Sequence, residues 1–352
     1  MDIEWPPTPY SLLITHCSLF ITHHSLPKKM FRTRIFLCIL LFLTLTTSCH
    51  QKDDNAIVIH RFDKVLFETP TDQLATKLNQ VRDEFNTPLL VFKPEEPAYI
   101  SMAQAFVADP TLQDVHRIVD SVFGDMAQQS QQLGKAFKKA QELYPEMRYD
   151  KVYTFLFGYF DYSKRIVCND HELLISLDQY VLPYTKQYNY FNNPLFIVQQ
   201  SQPQNLVPDC MTTIARQFTT IPDNRDMTLL DYMIAEGKAI YFAQQTLPNT
   251  PDSLLLRYTA EQLKWMQDNE KNVWAFFLQT KLLYETDYMR FHNFIDDAPK
   301  TNAFRDSAPR TTDYIGWRIV SMYMDKTNTT IQQLFEETDA QRILTISKYR
   351  PN

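Results

Sequence analysis

The first residues to consider are those that could bind a catalytic metal. A zinc hydrolase needs two histidines one helical turn apart, so that both imidazole rings face one ion, together with a glutamate base. After residue 48 no two histidines lie three to five residues apart, and the histidines are His50, His60, His116, His171 and His292. His171 and Glu172 begin the motif HExxH, but position 175 is isoleucine. The sequence therefore predicts no metal site and no bound cofactor.

Other catalytic and nucleotide-binding motifs are also missing from the sequence. The chain has only 5 glycines, and the closest two are Gly124 and Gly134, so neither a P-loop nor a GxGxxG turn can form. No GxSxG nucleophile elbow is present, and a net charge of -6 offers no basic surface for nucleic acid. The acidic pairs 296–297 and 336–337 are expected to be solvated. We predict no catalytic residue and no nucleotide or nucleic-acid partner.

Two short clusters place polar residues in an unusual setting. The segment MIAEGKAIYF (233–242) puts Glu236 and Lys238 beside Gly237 in a predicted helix, where glycine costs about 1 kcal/mol relative to alanine. Close approach of another helix, which we favour, or a ligand could require that glycine. The segment PYTKQYNYFNNP (183–194) could stack on sugar rings or only clamp the domain. Its aromatic residues are Tyr184, Tyr188, Tyr190 and Phe191.

The pattern of a lipoprotein signal peptide occupies residues 30–48. Arg32 and Arg34 precede an apolar run, 35–45, that is too short to span a bilayer. Small residues then lead into Cys49, an arrangement similar to a lipobox. We therefore predict that Cys49 is acylated with fatty acids such as palmitate, and that it holds the protein on the membrane. A plain secretion signal followed by a chance cysteine is the alternative.

The signal peptide also sets the expected organisation of the chain. A signal peptide works only near the true start, so we expect residues 1–29 to be an upstream segment outside the real protein. Residues 49–55 form the predicted lipidated polar tether, and residues 56–352 the predicted single domain. Within that domain Cys168 and Cys210 could pair in an oxidising compartment, or both could stay reduced.

The predicted fold class is α+β, mostly α-helical with a small β-sheet. Residues 56–68 open as a strand, and the β-rich runs 151–161 and 171–182 predict a hairpin. Apolar periodicity predicts helix over 112–144 and over most of the chain after about residue 205. Capping boxes are expected to begin two of these last helices, at Thr228 with Asp231 and at Thr259 with Gln262.

In their order along the chain, several motifs resemble the gliding-motility-associated lipoprotein family GldB of Bacteroidetes. The matching pieces run from Cys49 through RFDKVLF (61–67), ISLDQYVL (175–182), TLLDYMIAEGKAIYF (228–242), YTAEQLKWMQDNEKNVW (258–274), LLYETD (282–287), FIDDAP (294–299) and YIGWRIVSMYM (314–324) to SKYRP (347–351). The resemblance implies a non-catalytic accessory of gliding, type IX secretion or envelope assembly. It would be anchored in the outer membrane, on the periplasmic or the surface face, and would act through contacts with other envelope proteins.

A second resemblance links the same segment to gluzincin-type metallopeptidases. In those enzymes an HExxH helix is followed by a helix whose glutamate, in an EGxAxYF-like context, is the third zinc ligand. Glu236 matches that glutamate, whereas TTIARQF (212–218), the counterpart of the HExxH helix, has neither histidine nor glutamate. The resemblance implies a degenerate zincin-like fold, a pseudopeptidase, with Glu236 and Lys238 as candidates for the remnant site. A zinc-dependent hydrolase rebuilt around Glu236 and a glycan-binding surface lipoprotein stay open as alternatives.

Overall fold

The computed structural model of this protein describes residues 55–158, 165–185, 193–223 and 225–351. All of them belong to one compact unit, Asp53–Asn352. The strands in this part of the chain are β1 (Ile59–Arg61), β2 (Lys151–Phe155), β3 (Ile166–Cys168) and β4 (Glu172–Ser176). The helices are α1 (Phe62–Phe67), α2 (Leu74–Gln80), α3 (Pro97–Ala108), α4 (Pro110–Phe123), α5 (Ala127–Leu143), α6 (Leu195–Gln200), α7 (Leu206–Phe218), α8 (Leu229–Thr246), α9 (Asp252–Leu255), α10 (Ala260–Thr280), α11 (Tyr288–Phe291), α12 (Thr311–Lys326), α13 (Ile331–Glu336) and α14 (Ala340–Ser347). The predicted α+β class, mostly helical with a small sheet, is confirmed.

The sheet has the strand order β1-β2-β4-β3, and its two central strands correct the predicted hairpin. Strands β2 and β4 are parallel neighbours, with Val152 opposite Leu173, so the two β-rich runs point the same way. The antiparallel partner of β4 is the short strand β3, which lies between those runs in sequence. Every residue of β4 is buried, as is usual for a strand inside a parallel arrangement. The hairpin prediction was therefore wrong about which strand pairs with β4.

Local sequence signals place the starts of two helices correctly. Both predicted capping boxes are present, and they begin α8 at Thr228 and α10 at Thr259. The single helix expected over 112–144 is two helices, α4 and α5. They are separated at Gly124, which adopts a positive φ of 52°. A positive φ is unfavourable for other residues and ends the first helix there.

Hydrophobic residues pack on both faces of the sheet. The larger cluster joins α4, α5, α7, α8, α10 and α12 to one face, through residues such as Val152 and Ile175. A smaller cluster covers the opposite face, where Phe62 and Phe85 pack with Tyr153 and Leu174. The sheet thus anchors the helical bundle whose helices carry the candidate site.

Two glycines allow α8 and α12 to approach each other at backbone distance. A Cβ added to Gly237 would lie 2.3 Å from the carbonyl carbon of Gly316, and one added to Gly316 would lie 1.9 Å from the carbonyl oxygen of Met233. No side chain fits in either place. Close helix approach, the favoured explanation for the glycine in EGKAIYF, is therefore what the structure shows. It also brings Glu236 on α8 close to the first turn of α12.

Two further sequence expectations concern cysteines and membrane spans. Cys168 and Cys210 are both free thiols, so the disulfide alternative is not realised. Among the described residues, every helix is too short or too polar to cross a bilayer.

Candidate functional site

A cleft of about 680 Å³ opens between α7, α8 and the start of α12. Its floor is charged, and its walls come from helices that are far apart in sequence. Glu236 contributes from α8, Arg216 and Asp209 from α7, and Asp313 from α12. Concave sites of this size with a few converging polar groups are the usual form of a binding site. The predicted site residue Glu236 therefore lies in a charged cleft.

Glu236 is held by a two-point ion pair with Arg216. The Nε of Arg216 donates to Oε2 at 2.9 Å, and Nη2 donates to Oε1 at 2.5 Å. Burial acts to raise the pKa of Glu236, but the charge and hydrogen bonds of Arg216 outweigh that effect and hold the pKa below its usual range. Glu236 is therefore ionised at neutral pH, with each oxygen engaged by a guanidinium group.

Arg310 donates hydrogen bonds to three residues on the other side of the cleft floor. Its Nε donates to Asp313 at 3.0 Å, its Nη2 donates to the carbonyl oxygen of Leu256 at 2.9 Å, and its Nη1 donates to Asp297. The backbone of Arg310 is left-handed, with φ 40° and ψ 51°. A non-glycine residue in this conformation is strained, and such strain is common at functional sites. Tyr258 supports the residue by donating its hydroxyl to the Arg310 carbonyl at 2.9 Å.

Two buried carboxyl groups in the cleft have raised pKa values. Burial, aided by the charge of Glu236 and opposed by Arg310, raises the pKa of Asp313 to about 7. Burial also raises the pKa of Asp209 to about 6, against the opposing charge of Arg165 and the hydrogen bond from Tyr180. Both groups thus bind or release a proton near physiological pH. Perturbed groups of this kind cluster at functional sites.

The mouth of the cleft is more apolar than its floor. Ile221 and Tyr288 both line the cleft and are strongly exposed, at 50% and 42%. Asp296 also lies at the mouth, where it accepts a hydrogen bond from the Tyr288 hydroxyl and lies 3.2 Å from Nδ1 of His292. A ligand entering the cleft would therefore pass apolar side chains before it reached the charges.

The sequence-predicted residues divide between this cleft and other places. Lys238 points away from it, into the packing against the segment after α13, where Nζ donates to the Glu337 carbonyl at 2.5 Å. The acidic pair 296–297 was expected to be solvated, yet Asp297 forms an ion pair with Arg310. Cys49 lies outside the described residues, as do most of the predicted sugar-stacking residues, and Tyr184 is exposed.

Lys238 gives a prediction about the pH dependence of stability. Burial lowers its pKa from the ordinary 10.5 to about 8, despite the charge of Glu337. Between pH 8 and pH 10.5 the unfolded chain binds more protons at this lysine than the folded protein does. The free energy of unfolding therefore rises with pH across this window, and below pH 8 it lacks this contribution. At 1.36 kcal/mol per unit, the rise is about 3 kcal/mol. Between pH 7 and pH 9.5, urea unfolding should show about 2 kcal/mol of this rise, and we expect Lys238→Met to remove most of it.

The control for that experiment is Lys264→Met, the same change at an exposed lysine. It should leave the pH dependence of the wild type unchanged. Parallel pH profiles for the wild type and Lys238→Met would show that the buried amine does not carry the effect.

The donor set of the cleft does not fit a zinc ion. Within the described residues, no group of three or more His, Cys, Asp or Glu side chains is placed to share a metal. The helix α7, which includes the segment 212–218, presents Thr212, Thr213 and Arg216 to the cleft. Neither a threonine hydroxyl nor a guanidinium supplies the histidine or carboxylate ligands that zinc prefers. The peptidase resemblance would supply only Glu236 as a zinc ligand, and Arg216 already donates hydrogen bonds to both of its oxygens.

Sequence reasoning missed most of the residues that build this floor. Arg216, Asp209, Arg310 and Asp313 come from α7 and from the start of α12, and no fixed spacing links them. The nearest sequence signal was the segment 212–218, which was noted only because it has neither the histidine nor the glutamate of an HExxH helix.

A family model described as gliding motility protein GldB matches residues 47–351. The chain belongs to the GldB family. The match includes Cys49 and every residue that lines the cleft, so the resemblance found in the sequence motifs is confirmed. Membership in GldB makes this a lipoprotein of the cell envelope that is associated with gliding motility. No curated protein and no solved structure matches the chain.

Proposed function

We propose that this GldB-family chain is a non-catalytic lipoprotein, anchored in the outer membrane through acylated Cys49, that binds a segment of another envelope protein in its cleft. The bound protein would belong to the gliding or type IX secretion apparatus, or to another envelope assembly. The observation that carries the proposal is the ion pair between Arg216 and Glu236 on the cleft floor.

That ion pair bears on catalysis because of where its two members lie. Glu236 matches the third metal ligand of gluzincin-type peptidases, and Arg216 lies in the segment that matches their HExxH helix. An arginine stays protonated at all physiological pH values, so it can be neither a metal ligand nor a general base. It also occupies both oxygens of Glu236 with hydrogen bonds. These facts favour a degenerate zincin-like fold used for binding over a zinc hydrolase rebuilt around Glu236.

The shape of the cleft supports a protein segment as the ligand. A volume of about 680 Å³ holds several side chains, and the cleft is open rather than enclosed. Ile221 and Tyr288 offer exposed apolar contacts at the mouth, whereas the floor offers charged groups. Interfaces between proteins commonly combine an aromatic anchor with buried polar contacts.

The test is co-purification of the tagged, lipidated full chain from crosslinked membranes. The wild type is expected to enrich gliding or type IX secretion components. Cys49→Ser, which removes the anchor, should lose them. Thr213→Trp, which adds a large side chain to the cleft wall, should lose them while the protein stays folded and membrane-bound.

The matched control is Thr280→Trp, the same substitution at an exposed position at the end of α10. It should retain the partner at the wild-type level. Recovery of the wild-type protein without any partner would contradict the accessory role. Full retention of the partner by Thr213→Trp would show that the protein binds through a surface other than the cleft.

A further inference from the structure

The charged groups of the cleft do not balance. Four arginines line it, and they are Arg165, Arg216, Arg257 and Arg310. Five carboxylates line it, and they are Asp209, Glu236, Asp296, Asp297 and Asp313. Asp296 is the carboxylate for which the structure shows only a tyrosine hydroxyl and a histidine as partners. With every acid ionised, the cleft therefore has one negative charge in excess.

Two of these carboxylates also have an oxygen that accepts no hydrogen bond from a described residue. Asp209 and Asp313 are more than nine-tenths buried. Tyr180 donates to Oδ2 of Asp209, and Arg310 donates to Oδ2 of Asp313. Within the described ranges, neither Oδ1 atom accepts a hydrogen bond. Both residues line the cleft, and a carboxylate oxygen accepts hydrogen bonds, so a ligand with N–H groups can donate to these two oxygens.

Protonation is how the free cleft limits this excess charge. Asp313 faces Glu236 on α8, Arg216 on α7 and its own neighbour Arg310, and burial together with the charge of Glu236 raises its pKa to about 7. The proton on Asp313 thus neutralises charge that the arginines leave uncompensated. A positively charged ligand group at the same place would do so more completely, because it brings several donors and displaces the proton.

We propose that the cleft binds a lysine or arginine side chain of the partner protein, with the cationic head at Oδ1 of Asp313 and the apolar stem against the cleft mouth. This inference rests on the binding function proposed above and specifies its ligand. The stem of such a side chain is apolar and its head is charged, which matches the order of Tyr288 and Ile221 at the mouth and the carboxylates on the floor. Arg216 does not oppose the cation strongly, because its charge is already paired with Glu236.

The experiment uses the full chain and three labelled, capped pentapeptides. Their central residue is lysine, norleucine or glutamate, between identical apolar residues, and binding is measured by fluorescence anisotropy. Since a hydrogen bond to a charged group contributes about 1.5–3 kcal/mol, the lysine peptide should bind about tenfold more tightly than the norleucine peptide. Glutamate should bind most weakly. At pH 7 the lysine peptide should also release protons, measured in a pH-stat.

The variant Asp313→Asn should reduce the preference for lysine over norleucine to less than about twofold and abolish proton release, since it removes the charge that the cation meets. The matched control Asp268→Asn changes an exposed aspartate on α10 and should keep both properties. If Asp313→Asn does not fold, the comparison of the three peptides on the wild type still decides the proposal.

Equal binding of the three peptides, or tighter binding of the glutamate peptide, would overturn the inference about the cation. Binding of lysine without proton release at pH 7 would overturn the role given to Asp313. These failures differ from failure of the proposed function. If Thr213→Trp still loses its partner in membranes, the cleft remains the binding site and only the nature of its ligand is wrong.

Discussion

Gly316→Ala is expected to lower the free energy of unfolding by about 3 kcal/mol, because the added methyl group has no space. Its Cβ would lie 1.9 Å from the backbone oxygen of Met233 on α8. A backbone atom in the middle of a packed helix cannot move aside, so the two helices must separate. The gain of about 1 kcal/mol that alanine normally brings to a helix interior is too small to compensate.

The measurement is urea unfolding of the purified protein, followed by circular dichroism. Gly237→Ala, on the other side of the same contact, should give a loss of similar size. Gly134→Ala is the control within a helix interior, because its Cβ would meet the backbone of Asn55, the last residue of the predicted tether. Asn55 lies outside the helices and strands, where backbone shifts more easily, so we expect a loss below about 1 kcal/mol there. A loss that small at Gly316 would mean that α8 and α12 can move apart easily.

The second large effect is expected at Asp63, a fully buried carboxylate beneath the sheet. The Nε and Nη2 atoms of Arg61 donate to it at 2.9 and 2.6 Å, and the Thr154 hydroxyl donates at 2.5 Å. Arg61 itself is nearly buried and donates also to the carbonyl oxygen of Gly124. Asp63→Ala would leave the guanidinium group buried without its counter-ion. Breaking a buried ion pair in this way typically costs about 3–5 kcal/mol.

Urea unfolding of single and double variants tests this prediction. Replacing both charges, in Arg61→Met with Asp63→Ala, should recover part of the loss, since no charge is then left unpaired. Asp114→Ala is the control, because its ion pair with Arg117 is exposed and contributes less than about 1 kcal/mol. A loss below about 1 kcal/mol for Asp63→Ala would show that water reaches Arg61 and that the pair is not a buried one.

Local sequence determined the parts of this fold that depend on residues close together in the chain. Thr228 and Thr259 begin α8 and α10 as predicted, because a capping box is complete within four residues. The glycine in EGKAIYF was similarly informative. A residue that weakens a helix requires a packing reason, and the contact between Gly237 and Gly316 supplies it.

The direction of strand pairing could not be obtained in the same way. The composition of β2 and β4 shows that both are buried strands, but side-chain alternation is the same in parallel and antiparallel pairs. The antiparallel partner of β4 is instead β3, which is only three residues long. A strand this short has too few residues to show a pattern of its own.

By itself the sequence determined the GldB family and the mostly helical class, and it gave the predictions of a lipid anchor at Cys49 and of Glu236 as a site residue. Tertiary structure alone decided what surrounds Glu236. Arg216 and Asp313 are separated by almost a hundred residues, and neither has any sequence feature that marks it. They become a site because α7, α8 and α12 pack together and bring them into one cleft. There burial and the charge of Glu236 raise the pKa of Asp313, which no local pattern encodes.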